Sequence, residues 1–255
     1  MRLVILIALL LPALANAQAP ARLAIIIDDL GYHRSRGEAI VNLPAPVTCA
    51  VIPLSPHAPA LASAARAAGK EVILHMPMET DGYRALDAGG LREDMSEQEF
   101  ARTVSEAVAR IPEATGLNNH MGGVLTADAD AMNWLMTHLG EHGLFFVDSR
   151  TTPLSVAGKM ARQHGLPHAG RDVFLDNQRD LAAINEQFNR ALALAHRRGH
   201  AIVIGHPYPE TIEYLQQVLP LLAQAGVEVV PVSRLLKQPQ MAQRRTGNSA
   251  PEPAL

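Results

Sequence analysis

Residues 22–31 read Arg-Leu-Ala-Ile-Ile-Ile-Asp-Asp-Leu-Gly, an unbroken apolar run that ends in two carboxylates. Apolar side chains at consecutive positions are typical of a strand that is covered on both faces, as in a parallel sheet. Similar short runs recur along the chain. They predict strands at Leu23–Ile27, Val47–Ile52, Glu71–Leu74, Leu144–Val147, Ala201–Ile204 and Val227–Val230, with weaker candidates near Thr115–Leu117 and Val173–Leu175.

Helical patterns fill the intervals between these strands. Ser96 and Glu99 have the spacing of a capping box, which predicts a helix running towards Ile111. The other predicted helices are Ala58–Ala68, Asp128–His138 with Thr126 as its cap, Leu181–Arg198 ending at Gly199, and one that follows Glu210, is kinked at Pro220 and ends at Gly226. Strands that alternate with helices predict an α/β protein with a parallel sheet, open or closed into a barrel.

The composition favours one domain and excludes some functions. The chain has 255 residues, of which 48% are hydrophobic, and this length fits one α/β domain with a packed interior. The net charge is −3 and the basic residues do not cluster, which argues against nucleic-acid binding. Cys49 is the only cysteine, so no intramolecular disulfide can form, and its apolar neighbours predict a buried, inert thiol.

The two ends of the chain differ from its middle. Met1-Arg2, an apolar run and then Ala15-Asn16-Ala17 follow the order of a secretory signal peptide. We expect a signal peptide at 1–17, a linker at 18–21, the barrel domain at 22–237 and a disordered tail at 238–255. An uncleaved anchor is the alternative, although a membrane span needs about 20 apolar residues. Export predicts a location in the periplasm or cell envelope, without stable membrane insertion after cleavage.

Polar residues follow the strands rather than being scattered. Because the carboxyl ends of parallel strands meet on one face, residues that directly follow different strands converge there. Each residue alone could be a helix cap or a hydrogen-bonded structural group, but five strand ends make coincidence a poor explanation. Histidine and carboxylate together are the ligands of Zn²⁺ and similar ions. The residues at these strand ends are Asp28, Asp29, His75, His120, Asp148 and His206.

These residues lie in motifs that resemble a known family. Asp28-Asp29, His75 and Ile204-Gly205-His206-Pro207 are similar to the first, second and last motifs of the polysaccharide deacetylase superfamily. Asn118-Asn119-His120-Met121-Gly122-Gly123 and Val147-Asp148-Ser149-Arg150-Thr151-Thr152 more closely resemble its divergent branch. The similarity covers residues 22–236. It implies a distorted (β/α)7 barrel in one domain, and metal-dependent removal of N- or O-acetyl groups from a polysaccharide.

The resemblance also implies roles for single residues. Asp28 would be the base, His206 the acid, and Asp29 and His75 would bind the metal, which we expect to be zinc. The family places a second histidine four residues after the first, but here that position is Glu79. The third motif of the family, which contains arginine and proline, is absent. His120 is therefore the favoured third ligand and Glu79 the weaker candidate, while Asp148 is a further candidate for the catalytic machinery.

Three functions remain open on these residues. The first is a metal-dependent deacetylase that acts on an acetylated glycan of the cell envelope. The second is a non-catalytic glycan-binding or envelope-assembly protein on the same barrel. The third is a glycoside hydrolase that uses Asp28 with Glu79 or Asp148. This third function is less favoured because it leaves three strand-end histidines without a role.

Overall fold

The computed structural model describes residues 19–82 and 85–236. The predicted signal peptide and tail lie outside these ranges, as does residue 18 of the predicted linker. Ala21, the last residue of that linker, already belongs to the first strand. No helix within the described ranges is both long enough and apolar enough to cross a membrane.

Strands and helices alternate along the described chain. The strands are β1 Ala21–Leu30, β2 Thr48–Val51, β3 Glu71–Met78, β4 Gly116–Met121, β5 Phe145–Asp148, β6 His168–Gly170, β7 Val173–Phe174, β8 His200–Gly205 and β9 Val227–Val229. The α-helices are α1 Arg34–Val41, α2 Ala58–Ala67, α3 Glu97–Arg110, α4 Ala129–Glu141, α5 Ala157–Gln163, α6 Leu181–Arg198 and α7 Pro209–Val218. Short 3₁₀ helices lie at Leu125–Ala127, Leu219–Leu221 and Val232–Leu235.

All strand pairs are parallel and form one curved sheet in the order β6-β5-β4-β3-β2-β1-β8-β7, with β9 beside the start of β1. The two edge strands, β6 and β7, are joined by only Arg171 and Asp172. The Arg171 N–H donates to the Asp148 carbonyl oxygen of β5, and the Asp172 N–H donates to the Ile202 carbonyl oxygen of β8. The sheet is a distorted α/β barrel, as predicted, and its edge strands β6 and β7 do not pair with each other.

Alternate residues of β1 pack in two different places. Leu23, Ile25 and Ile27 belong to the large cluster between the sheet and the helices. Ala24 and Ile26 belong to a smaller cluster that also takes residues from β2, β3, β5, β6 and β8. Both faces of the strand are thus covered, which is the physical reason for its continuous apolar sequence.

Two helix predictions are wrong in detail, and three short elements were not predicted. Thr126 does not cap α4: its hydroxyl donates to the Gly122 carbonyl oxygen, while Asp128 caps the helix by accepting from two backbone N–H groups. Pro220 does not kink a long helix, because α7 ends at Val218 and Pro220 lies in a separate 3₁₀ turn. The unpredicted elements are α1, α5 and β6, which are too short to show a clear period.

The predicted capping box of α3 is confirmed. Ser96 Oγ accepts from the Glu99 N–H, and the Glu99 carboxylate accepts from the Ser96 N–H at 2.9 Å.

We expect Ser96→Ala to lower the free energy of unfolding by about 1 kcal/mol, which lowers Tm by about 2–4 °C for a domain of this size. Thermal unfolding measures it. Ser105→Ala, the same change at an exposed site within α3, is the control and should leave Tm nearly unchanged.

Candidate metal and active site

The carboxyl ends of four strands deliver ionisable side chains to one cavity of about 290 Å³. Asp28 and Asp29 come from β1, and His75 comes from β3. His120 lies near the end of β4, where the parallel register sets it beside Pro77 of β3. His206 directly follows β8. Strand ends that are far apart in sequence thus form one polar site, because parallel pairing aligns them.

Three of these side chains meet at a single point. His75 Nε2 lies 3.2 Å from Asp29 Oδ1, His120 Nδ1 lies 2.9 Å from the same oxygen, and the two nitrogens are 3.0 Å apart. Ligand atoms at 2.0–2.1 Å from a tetrahedral zinc ion are about 3.3 Å from one another. Asp29 Oδ1 is also buried without a hydrogen bond of acceptable geometry. Two imidazole nitrogens and a carboxylate oxygen at this spacing fit a divalent cation.

Asn118 sets the tautomer of His75. The Asn118 amide nitrogen donates to Asp28 Oδ1 at 2.8 Å, which directs its carbonyl oxygen to His75 Nδ1 at 2.9 Å. His75 Nδ1 must therefore carry a proton, so in the neutral ring the lone pair is on Nε2, which faces Asp29. His75 is held in the form that a metal ligand requires.

Asp87 sets the tautomer of His120. His120 Nε2 lies 3.1 Å from Asp87 Oδ2, so the proton belongs on Nε2 and the lone pair of Nδ1 faces the cavity. The Tyr32 hydroxyl donates to Asp87 Oδ1. Burial and the neighbouring Asp87 raise the pKa of Tyr32 to about 12, which keeps this hydroxyl a neutral donor. The loop between β3 and α3 thus orients His120, the candidate metal ligand on β4.

The backbone is strained where the strands end. Asp29, Met121 and Arg150 have φ angles of 55°, 53° and 51°, the left-handed region that non-glycine residues rarely adopt. Asp29 and Met121 line the cavity, and Arg150 follows β5 at the neighbouring strand end. Such conformations cost about 1–3 kcal/mol each and persist where the surrounding structure enforces them. Asp29 has this strained backbone conformation, and its carboxylate faces His75 and His120.

Asp28 lies directly behind the three-residue cluster. Its Oδ2 is 3.6 Å from His75 Nε2, and its Oδ1 accepts from Asn118. Burial raises the pKa of the Asp28 carboxyl, while the nearby His75 and His206 act in the opposite direction. Burial raises the pKa of the Asp29 carboxyl, but when His120 and His75 are protonated their hydrogen bonds and charge outweigh burial and hold the pKa well below its usual range. The two neighbouring aspartates therefore differ in their affinity for a proton.

His206 is held beside the cluster by Asp176. His206 Nδ1 is 2.9 Å from Asp176 Oδ1, and Asp176 Oδ2 accepts from both the His206 N–H and the Thr211 hydroxyl. Burial lowers the pKa of His206, but Asp176 outweighs it and raises the value to about 9. His206 Nε2 lies 3.9 Å from Asp29 Oδ2. The ring therefore presents a protonated nitrogen to the cavity.

The structure does not bring Asp148 or Glu79 into this cluster. Asp148 Oδ1 accepts from the Arg150 N–H, and its Oδ2 accepts from the Ser155 hydroxyl, so both oxygens stabilise the turn after β5. Glu79 Oε2 accepts from the Glu93 N–H in the loop after β3. A catalytic role for Asp148 has no geometric support, and the third position beside Asp29 and His75 is taken by His120 rather than Glu79.

Sequence reasoning missed Asn118, Asp87 and Asp176 as parts of the site. Asp176 comes just after β7, so the same rule that found the other strand-end residues could have found it. Asn118 lies inside a quoted motif, but its position between Asp28 and His75 depends on the register of β3 and β4. Asp87 lies in a loop and carries no signal in the sequence.

Fold and site together define a class, an α/β barrel protein with a histidine and carboxylate cluster at the carboxyl ends of its strands. A sequence model of the divergent polysaccharide deacetylase family matches residues 25–236. An uncharacterized protein of Haemophilus influenzae is 42% identical over 198 residues, covering 78% of this chain and 71% of that protein. The uncharacterized protein YibQ of Escherichia coli is 39% identical over 229 residues, covering 90% and 72%. The chain belongs to the divergent polysaccharide deacetylase family.

Solved structures are similar over most of the chain. The uncharacterized protein ATU2773 of Agrobacterium tumefaciens superposes with a TM-score of 0.82 at 26% identity, covering 86% of this chain and 90% of that one. A family 4 carbohydrate esterase of Streptomyces lividans, solved with acetate, superposes with a TM-score of 0.52 at 15% identity, covering 87% and 100%. The second likeness shows a shared barrel fold.

Proposed function

We propose that this protein is a metal-dependent hydrolase that removes acetyl groups from a glycan. The observation that carries the proposal is the triangle of Asp29 Oδ1, His75 Nε2 and His120 Nδ1, with Asp28 within 4 Å of His75 and His206 within 4 Å of Asp29. Three protein ligands with an open position are typical of catalytic rather than structural metal sites. Membership of the divergent polysaccharide deacetylase family supports an acetylated glycan as the substrate class.

Each flanking residue has a suitable role in hydrolysis. Asp29, His75 and His120 would hold a divalent ion such as Zn²⁺, which would supply Lewis acidity to the carbonyl and to the attacking water. Asp28 accepts the proton of the water, and burial, which raises its pKa, makes it a stronger base than an exposed aspartate. His206 is protonated below about pH 9 and donates its proton to the departing amine or alcohol. Asp176 holds the ring in place for this transfer.

Export belongs to the same proposal. The order of residues 1–17 supports secretion into the periplasm or envelope, where glycans of the cell wall are accessible. Intact-mass measurement of protein recovered from the envelope tests this. A mass that starts near Gln18 is expected, and a mass that still includes residues 1–17 would contradict cleavage.

The proposed activity is tested on the purified protein by metal analysis together with acetate release from N- and O-acetylated envelope glycans. About one equivalent of zinc or a similar divalent ion is expected, and chelation should abolish acetate release. Protein that binds the ion but releases no acetate from any glycan would favour the non-catalytic glycan-binding or assembly function. Protein that binds no divalent ion would contradict the proposal itself.

The support that Asp87 gives to His120 makes a quantitative prediction. Asp87→Asn should weaken zinc affinity by about 10–100-fold, because losing the carboxylate removes the partner that orients His120 and keeps its proton on Nε2. Competition with a chromophoric chelator measures the affinity. Asp81→Asn is the matched control, since Asp81 lies in the same loop and is exposed. Equal affinities of Asp87→Asn and the parent protein would exclude this role.

A further inference from the structure

A second cavity of about 500 Å³ adjoins the site. Met121, Thr151 and Phe174 line both cavities, so the two lie side by side. The walls differ in charge. The first cavity contains the aspartates and histidines of the cluster, and the arginine in its lining, Arg179, stacks on the ring of Tyr208. The second cavity contains Arg150 and Arg171. The face of the barrel therefore has an acidic, metal-binding side and a basic side.

The two arginines hold each other in place. Arg150 Nη1 donates to the Arg171 carbonyl oxygen at 3.0 Å, and Arg171 Nη2 donates to the Arg150 carbonyl oxygen at 2.8 Å. Arg171 Nε also donates to the Ser149 carbonyl oxygen at 2.7 Å. All three acceptors are neutral backbone groups. Because each guanidinium has five N–H groups, several donors remain free on both side chains.

These two positive charges lie together without a paired acid. Within residues 19–82 and 85–236, no carboxylate is within 4.0 Å of a nitrogen of either guanidinium. Asp172 pairs with Arg198 instead, and Asp148 is used by its own turn. Asp81 lines the same cavity but is exposed. Burial, together with the charge of Arg150, lowers the pKa of Arg171, although the more distant carboxylates of Asp148 and Asp28 act in the opposite direction.

Two backbone features place Arg150 where it is. Its φ of 51° is strained for a residue with a side chain. Its guanidinium packs on Gly170, where an added Cβ would lie 2.7 Å from Arg150 Nε. A residue larger than glycine at 170 would push the guanidinium away. The strained backbone of Arg150 and the absence of a side chain at Gly170 both favour the observed position of the Arg150 guanidinium.

Phe174 sets the geometry between the two sides. The carbon of the Arg171 guanidinium is 5.1 Å from the centre of the Phe174 ring, and the His206 ring is 5.2 Å from that same centre. The positive side and the proposed acid are thus separated by one aromatic ring. A ligand with its acetyl group at His206 can extend over Phe174 and reach the arginines.

We propose that Arg150 and Arg171 form a subsite for an anionic group, a carboxylate or a phosphate, carried by the glycan whose acetyl group lies at the metal cluster. This inference rests on the proposed function, because the position of the acetyl group defines where the anion lies. Guanidinium groups bind both anions through paired hydrogen bonds. The substrate is accordingly an acidic glycan rather than a neutral one.

The test compares three sugars that share an acetamide but differ in charge. N-acetylglucosamine is neutral, N-acetylmuramic acid carries a carboxylate and N-acetylglucosamine 6-phosphate carries a phosphate. Calorimetric titration of the zinc-loaded full chain should show at least one acidic sugar binding about tenfold or more tightly than the neutral one. The tighter of the two acidic sugars identifies the anion. Equal binding of all three sugars would overturn the inference.

Variants distinguish an anion bound at the arginine subsite from an anion bound by the metal ion. Arg150→Gln and Gly170→Ala should each remove most of the acidic preference, the second while keeping both arginines. Arg102→Gln, an equal loss of charge on the exposed face of α3, should keep it. Arg171 is left unchanged because its side chain holds two backbone carbonyls. A preference that survives in both variants, or is lost in Arg179→Gln instead, would overturn the assignment.

Failure of this inference and failure of the proposed function are distinguishable, because binding is measured without turnover. Acetate release from neutral glycans with no acidic preference would keep the hydrolase and reject the subsite. An acidic preference that depends on Arg150, in a protein that releases no acetate, would keep the anion subsite and reject the hydrolysis. Circular dichroism and Tm of each variant confirm that the fold is retained.

Discussion

Asp28→Asn is expected to reduce acetate release by about 10²–10⁴-fold, the usual contribution of a general base, while leaving the metal content unchanged. The amide has nearly the same size as the carboxylate but cannot accept the proton of the water. Its oxygen can still accept from Asn118, so the hydrogen bond that orients His75 is preserved. The loss is therefore expected in kcat rather than in metal affinity.

Asp148→Asn is the matched control for this experiment. Asp148 is also a buried aspartate at the end of a strand, but both of its oxygens are used within the turn after β5. We expect Asp148→Asn to retain most of the acetate release. If the two variants lost activity equally, or if Asp28→Asn stayed active, Asp28 would not be the base and the mechanism would have to be redrawn.

His75→Ala and His120→Ala are each expected to reduce bound metal from about one equivalent to nearly none. Either change removes one of three ligands, which should weaken binding by more than the 10–100-fold that is typical of losing a supporting carboxylate. Elemental analysis after gel filtration gives the stoichiometry. Acetate release should fall together with the metal, because the proposed hydrolysis requires the ion.

Two controls make this result specific. His164→Ala removes an exposed histidine that bonds Asn133, and it should leave the metal content unchanged. Glu79→Gln tests the alternative third ligand, and it should also leave the metal in place because Glu79 bonds the backbone of Glu93. Full occupancy in folded His75→Ala and His120→Ala would reject the site. Metal lost in Glu79→Gln but kept in His120→Ala would move the third ligand to Glu79.

The unbroken apolar runs and the residues that directly follow them determined much of this protein at the sequence level. The run before Asp28 predicts a strand covered on both faces, and the alternation of such runs with helices predicts a parallel α/β fold. The carboxyl ends of parallel strands lie on the same face of the sheet. Asp29, His75 and His206 each follow an apolar run, so their positions already predicted a shared site. These conclusions need only local patterns and one rule of sheet geometry.

Only the tertiary structure decided which side chains meet and what holds them. Whether His120 or Glu79 joins Asp29 depends on the register of β4 against β3, which pairs Pro77 with His120 and is not written in either strand alone. Asp148 obeys the strand-end rule as well as Asp29 does, yet the turn after β5 uses its carboxylate. A sequence lists candidate ligands along a line. A ligand cluster requires atoms within a few ångströms in three dimensions, and that distance is set by register, backbone strain and long-range hydrogen bonds.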